Sequence, residues 1–254
     1  MAGRLKIAVV KFASCSGCQG VLLDAEEELP FLVNNYLDIQ YFIEATSRIG
    51  DGPYDLALVE GSISVPEDLK RVQEIREKSK IVATIGACAT AGGIQALRNW
   101  ASLNDFSRTV YLNPQWVASL DKSTPISEHI KVDYELNGCP ISKQQLLDFI
   151  TSVVIGKRPR IERNSVCVEC KRLGNVCVLV ANKLPCMGPV TKAGCGALCP
   201  SYGRDCYSCF GPFEDVNVES LKEKFKEIGL KDYEILHKFR EFTGYSKQFR
   251  EVKV

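Results

Sequence analysis

Histidine is nearly missing from this chain: His129 and His237 are the only two among 254 residues. So small a stock excludes the H-E-x-x-H pair of a zinc hydrolase. His129, in "SEHIKVD", reads as a loop or strand-entry residue and His237 as part of a C-terminal helix, and neither is assigned to a metal. Net charge is equally scarce, since 32 Lys and Arg nearly cancel 31 Asp and Glu. That balance removes the electrostatic footprint of a nucleic-acid-binding or anionic-membrane protein. Long apolar runs are also lacking: runs such as "IAVV" (7–10) and "FITSVVIG" (149–156) fall well short of the roughly 20 residues that cross a bilayer. Neither G-x-G-x-x-G nor a Walker lysine follows the first strand, which leaves no nucleotide loop there. No internal repeat or low-complexity segment stands out. No signal-peptide pattern precedes a first strand beginning at about Leu5, so a cytoplasmic protein without membrane or nucleic-acid partners is expected.

Cysteine is the residue in excess, with twelve copies. In a reducing compartment such a number points to metal or redox ligands rather than disulfides. The hydrophobic share of 45% is enough for a core in a chain of this length. The cysteines divide the chain into two regimes: Cys15, Cys18, Cys88 and Cys139 are scattered, whereas the other eight crowd between Cys167 and Cys209.

The first regime alternates β-rich text ("LKIAVVKF", "DIQYFIEA", "YDLALVEGS", "KIVATIGAC") with helix-like text ("GVLLDAEEELPFLVNNY", "VPEDLKRVQEIREKS", "ATAGGIQALRN", "ISKQQLLDFITSVVIG"). That alternation implies βαβ units and a parallel sheet with helices on both faces. Uninterrupted apolar runs fit strands buried on both sides. Ser64 and Glu67 around Pro66 supply a helix start. The expected architecture is a flavodoxin-like α/β domain over residues 1–156, then a small irregular domain with C-terminal helices over 157–254, joined through the linker "GKRPRIERN" (156–164). Residues 165 to about 213 are rich in Gly, Pro and Cys and poor in periodicity. A stretch of that kind needs something other than an apolar core to order it, and metal centres can do so.

In a parallel α/β sheet, ligands gather beyond the carboxyl ends of the strands. Cys15 and Cys18 follow "LKIAVVKF", Cys88 follows "KIVATIG" and Cys139 follows "VDYELNG", each beside a glycine (Gly17, Gly86, Gly138). Four converging thiols make a site for zinc or an iron-sulfur cluster. Either Cys88 or Cys139 alone could be a small buried hydrophobe, but a C-x-x-C on the same sheet edge argues for all four together. The later cysteines, "CVECKRLGNVC" (167–177), "CMGPVTKAGCGALC" (186–199) and "CYSC" (206–209), divide in chain order into Cys167, Cys170, Cys177, Cys186 and Cys195, Cys199, Cys206, Cys209. Two-cluster ferredoxins interleave their ligands, so order alone does not fix the partition. A zinc ribbon remains the competitor, although structural zinc leaves a third four-cysteine set unexplained.

Taken in order, "CSGC" (15–18), "VEGS" (59–62), "GACAT" (86–90), "GCP" (138–140), "PCMGP" (185–189) with Cys195 nine residues after Cys186, and "CYSC" resemble the small, electron-transferring subunit of nickel-iron hydrogenases. The resemblance implies that Cys15, Cys18, Cys88 and Cys139 bind a proximal 4Fe-4S cluster facing the nickel-iron site of a separate large subunit. It matches Cys195, Cys206 and Cys209 to the medial ligands, and Cys167, Cys170, Cys177 and Cys186 to the distal ones. Many members carry histidine where Cys167 stands and proline where Cys199 stands, so three 4Fe-4S clusters are expected. Ser14 replaces a glutamate common in the periplasmic group, which withholds any proton-transfer role from that position. Glu60 of "VEGS" is read either as a neighbour of the cluster or subunit contact, or as a solvated or helix-capping residue. Within the family the likeness is to cytosolic, cofactor-linked enzymes such as the delta subunits of archaeal sulfhydrogenases. It implies a hetero-oligomer of the large subunit and flavin/iron-sulfur diaphorase-type subunits, with the nickel-iron centre, FAD and NADP(H) all in partners, and sulfur reductase activity alongside hydrogen turnover. A regulatory hydrogen sensor and a zinc-stabilised interaction module are the alternatives. A quinone-reductase subunit would carry an adjacent Cys-Cys pair, and none occurs.

Overall fold

The computed structural model describes residues 4–254. Its five strands are β1 (Leu5–Lys11), β2 (Leu37–Phe42), β3 (Tyr54–Glu60), β4 (Ser79–Ile85) and β5 (Tyr134–Leu136). They form one parallel sheet in the order β2-β1-β3-β4-β5. This is the flavodoxin-like order, with the direction of winding reversing between β1 and β3 and opening a crevice at their carboxyl ends. Register follows the apolar text: Ile7 and Val9 pair with Leu56 and Leu58. Those four face one core cluster, while the alternate residues Ala8, Val10, Ala57 and Val59 face another. Successive strand side chains point to opposite faces, so a strand covered on both sides has no polar position to spare.

The first half also holds helices α1 (Gly17–Leu23), α2 (Glu28–Asn35), α3 (Pro66–Lys78), α4 (Gly86–Ala91), α5 (Leu103–Val110) and α6 (Lys143–Val154). Leu22 of α1, Leu32 of α2 and Leu146, Phe149 and Ile150 of α6 cover one face; Val72 and Ile75 of α3 and Ala89 of α4 cover the other. Each such side chain contributes about 1.5–3 kcal/mol when fully buried. Helix α3 opens on Pro66, with Glu67 and Asp68 in its first turn and Arg76 and Lys78 in its last, the charge order that suits the helix dipole. Its cap is Val65 rather than Ser64. The Ser64 hydroxyl instead bonds Ser123 at 2.7 Å, within a buried trio completed by Ser62. Two stretches read as continuous helices are divided. Residues 20–36 break between α1 and α2, where Pro30 in the first turn of α2 lacks the N–H that a through-running helix would require. Residues 89–99 break at Gly92 and Gly93, with φ of 78° and 67°.

The second half contains α7 (Val166–Arg172), α8 (Val178–Ala181), α9 (Leu198–Ser201), α10 (Val218–Glu227) and α11 (Asp232–Phe239). Its core joins Val166, Met187, Val190, Leu221, Phe225, Ile235, Phe239 and Phe249 with the thiols of Cys186 and Cys206. Among the described residues no helix is long and apolar enough to cross a membrane.

Candidate metal centres

Four cysteines meet at the carboxyl edge of the sheet. Strand β1 runs into Cys15, and Cys18 enters α1 after Ser16, whose φ of 64° turns the chain sharply. Cys88 sits on α4 directly after β4, and Cys139 follows β5. Glu60, the last residue of β3, is only 2% exposed and accepts the Cys18 N–H at 3.1 Å. It is therefore a buried acceptor at the first turn of α1, and the solvated role is excluded. Burial pushes its carboxyl up, against the pull of the Cys18 and Gln19 N–H groups.

Glycine makes room for these sulfurs. A Cβ at Gly86 (φ 86°) would collide with Cys18 Sγ, and one at Gly93 (φ 67°) would stand 2.6 Å from Cys88 Sγ. Both positions also need the left-handed backbone that glycine adopts without strain. Burial raises the Cys18 thiol to about 12 and Cys88 to about 11. The four sulfurs lie within electrostatic reach of one another: Cys88 and Cys139 act on Cys18, and Cys15 acts on both Cys88 and Cys139. The Cys88 thiol also donates weakly to Gln95 Oε1 at 3.7 Å.

The eight later cysteines are held by shorter pieces. Cys167 and Cys170 are three apart on α7 and so share a helix face; Cys177 caps α8 and Cys186 follows it. A Cβ on Gly188 would lie 3.4 Å from Cys186 Sγ and 3.5 Å from Cys167 Sγ, which brackets that glycine between two sulfurs. Burial lifts Cys167 to about 11, helped by Cys186, Cys170 and Cys177. Cys177 itself is exposed.

Cys195, Cys199, Cys206 and Cys209 line a cavity of about 290 Å³, together with Val166, Thr191 and Cys139. Burial raises Cys209 to about 12, with Cys195, Cys139 and Cys199 acting on it in turn. Burial also raises Cys206, whose thiol donates to Thr191 Oγ1 at 3.5 Å. The Cys206 N–H donates to Cys186 Sγ at 3.3 Å. Contacts thus run from Cys139 through the set around Cys209 and Cys206 to the set around Cys186.

All twelve cysteines are unbridged. Each set offers sulfur alone, the donor chemistry of iron-sulfur clusters and of structural zinc. Glycines that a Cβ would drive into sulfur, and a cavity walled by four thiols of one set, fit groups of that size. Metal binding overcomes the raised pKa of such thiols by taking up the thiolate and releasing a proton. The histidines stand apart: His129 Nε2 lies 2.7 Å from Thr124 Oγ1, and His237 packs edge-on to Tyr233. Sequence reasoning passed over Gln95, Thr191 and Glu169, which reach these sites through the fold. For Glu169 the sole hint is its place between the cysteines of a C-x-x-C.

Residues 15–153 match the family described as NADH ubiquinone oxidoreductase, 20 Kd subunit. The sulfhydrogenase 2 subunit delta of Pyrococcus furiosus is 36% identical over 95% of this chain and 100% of its own length. A subunit of the F420-non-reducing hydrogenase vhu of Methanocaldococcus jannaschii is 34% identical over 82% of each chain. Among solved structures, an NAD+-reducing [NiFe]-hydrogenase in the H2-reduced state superposes with a TM-score of 0.58 at 26% identity, covering 63% of this chain and 96% of that one.

Proposed function

From the premise that the chain belongs to the NADH ubiquinone oxidoreductase 20 Kd subunit family, and within it to the hydrogenase small subunits, we propose a division of labour between three thiol sets. Residues 1–156 hold a proximal 4Fe-4S cluster on Cys15, Cys18, Cys88 and Cys139. Residues 157–254 hold a medial cluster on Cys195, Cys199, Cys206 and Cys209, and a distal one on Cys167, Cys170, Cys177 and Cys186. When bound, each such cluster takes up and releases one electron at a potential set by its hydrogen bonds, nearby charge and exposure. The chain is then the electron conduit between a nickel-iron large subunit that cleaves or forms H2 and a flavin-bearing partner linked to NADP(H), in a complex with sulfur reductase activity alongside hydrogen turnover. It works in the cytoplasm as part of a hetero-oligomer.

The observation that carries this reading is the continuity of the sets. Cys139 shares a cavity with Cys195, Cys199, Cys206 and Cys209, and the Cys206 N–H donates to Cys186 Sγ. Protein groups do the remaining work. Buried aliphatic side chains such as Val166 exclude water from the sulfurs, and N–H groups of Cys206 and Gly188 stabilise the Cys186 thiolate. Helix α5 buries none of its side chains and Leu112 and Trp116 are open to solvent, an apolar surface suited to the large subunit. Exposed Cys177 is flanked in sequence by exposed Leu173, Val176 and Val180, a surface suited to an electron-carrying partner.

The test is iron, acid-labile sulfide, nickel and zinc per chain, in complex purified anaerobically from its host. About twelve iron and twelve sulfide in this chain, as three 4Fe-4S clusters require, with nickel in a larger co-purifying chain, is the expected result. Zinc without sulfide would instead make the cysteines structural and end the electron-transfer reading.

A further inference from the structure

The segment 194–199 carries Cys195 and Cys199 through a sequence of backbone conformations that L-residues avoid. Gly194, Gly196 and Ala197 all have positive φ, at 134°, 66° and 50°. For the glycines this is free, but for Ala197 it is strain that the surroundings must hold in place. A carboxylate does so. Glu169, on α7 between Cys167 and Cys170, reaches across to accept the Gly194 N–H on Oε1 at 2.9 Å and the Ala197 N–H on Oε2 at 3.2 Å. Its two oxygens therefore grip the chain on both sides of Cys195. Burial raises the Cys195 thiol, and the neighbouring Leu198 N–H and Glu169 carboxylate act on it in opposite directions, the first lowering and the second raising it.

We propose that Glu169 is a positioning residue for the centre on Cys195: by holding the N–H groups of Gly194 and Ala197, it fixes the ligand loop and, with its own charge, sets the potential of that one centre. The inference rests on the cluster reading given above and adds to it a residue that binds no metal. It links the sets in an unobvious way. The helix that supplies Cys167 and Cys170 to one set holds the loop of the next.

Glutamine and alanine at this position separate the two contributions. Gln keeps one acceptor oxygen but turns an NH2 group toward the second N–H and removes the charge; Ala removes both acceptors. The experiment uses the intact complex with Glu169→Gln or Glu169→Ala, read by iron and sulfide content and by EPR-monitored redox titration. A Cys195→Ser complex identifies which signal belongs to this centre. For Glu169→Ala the expected result is loss of that signal, with iron in the chain falling by about a third, one cluster of three. For Glu169→Gln the expected result is a loaded centre whose midpoint moves upward as a negative charge leaves, while the other two midpoints hold. Unchanged iron and unchanged midpoints in both variants would overturn the proposal. So would a shift confined to the centre on Cys167, Cys170, Cys177 and Cys186, which would make Glu169 a servant of its own helix. Zinc and no sulfide in the unsubstituted complex would overturn the cluster reading first, and this proposal with it, an outcome visible before any variant is made.

Discussion

In the first half of the molecule Cys18 is one member of an apolar cluster that also contains Ile7, Val9, Leu22, Phe42, Leu56 and Leu58, spread over a five-stranded sheet. In the second, Cys186 and Cys206 belong to a core that joins α10 and α11 to short pieces such as α8, only four residues long. Isolated helices of that length have no stability of their own in water. On the cluster reading proposed above, the sheet would carry its ligands as passengers, whereas those of the second half would be part of what holds it together.

Stripping the metal is the most forceful way to break this comparison. After anaerobic chelation, hydrogen exchange should lose its protection across α7, α8 and α9, while the amides of β1, β3 and β4 keep theirs. Simultaneous loss in both halves would mean that the sheet, too, depends on its ligands. Next in size is Gly86→Ala, which should cost the chain about four iron atoms, the content of one 4Fe-4S cluster, because the new methyl strikes Cys18 Sγ. Gly174→Ala supplies the contrast. It has a similar φ of 71° with nothing near the added carbon, so iron should stay complete and only about 1–2 kcal/mol of backbone strain be felt.

Cys199→Pro should convert the centre in the shared cavity toward a 3Fe-4S form with a higher potential. Low-temperature EPR reads this directly, and an unchanged spectrum with full loading would remove Cys199 from the ligand set. An effect on stability rather than on metal content is expected in the first half, at Asp133. Burial alone would raise its carboxyl, but the Val82 N–H at 2.8 Å and the Arg76 guanidinium at 2.6 Å outweigh that and hold it below the usual carboxylate range. A lowered folded value means stabilisation that is complete above the ordinary Asp value of about 3.9 and fades as pH falls through the folded one. Asp133→Asn should cost about 1–2 kcal/mol near neutral pH, and its difference from the parent in urea midpoint should shrink in acid.

The same contrast explains what could be read in advance. Uninterrupted apolar text such as "IAVV" and "LALV" gave away strands covered on both faces, and the strand ends located Cys15, Cys18, Cys88 and Cys139 on one edge of the sheet. Local rules succeeded because sheet geometry is local in period. They failed where the partner was distant. Ser64 looked like a helix cap because Ser123, which it bonds, lies 59 residues away. Glu60 could be solvated or buried until Cys18, 42 residues upstream, was seen to donate to it. The two glycines at 92 and 93 were visible in the helix-like text, but the Cys88 sulfur beside Gly93, which leaves no room for a side chain there, was not. In the second half almost every contact of interest is of that distant kind, Glu169 to Gly194 and Ala197 above all.

Cys139 stands in the wall of a cavity that Cys195, Cys199, Cys206 and Cys209 also line. On the cluster reading, two neighbouring centres would share that wall, so charge passing between them would stay inside a single chain with no docking step to wait for.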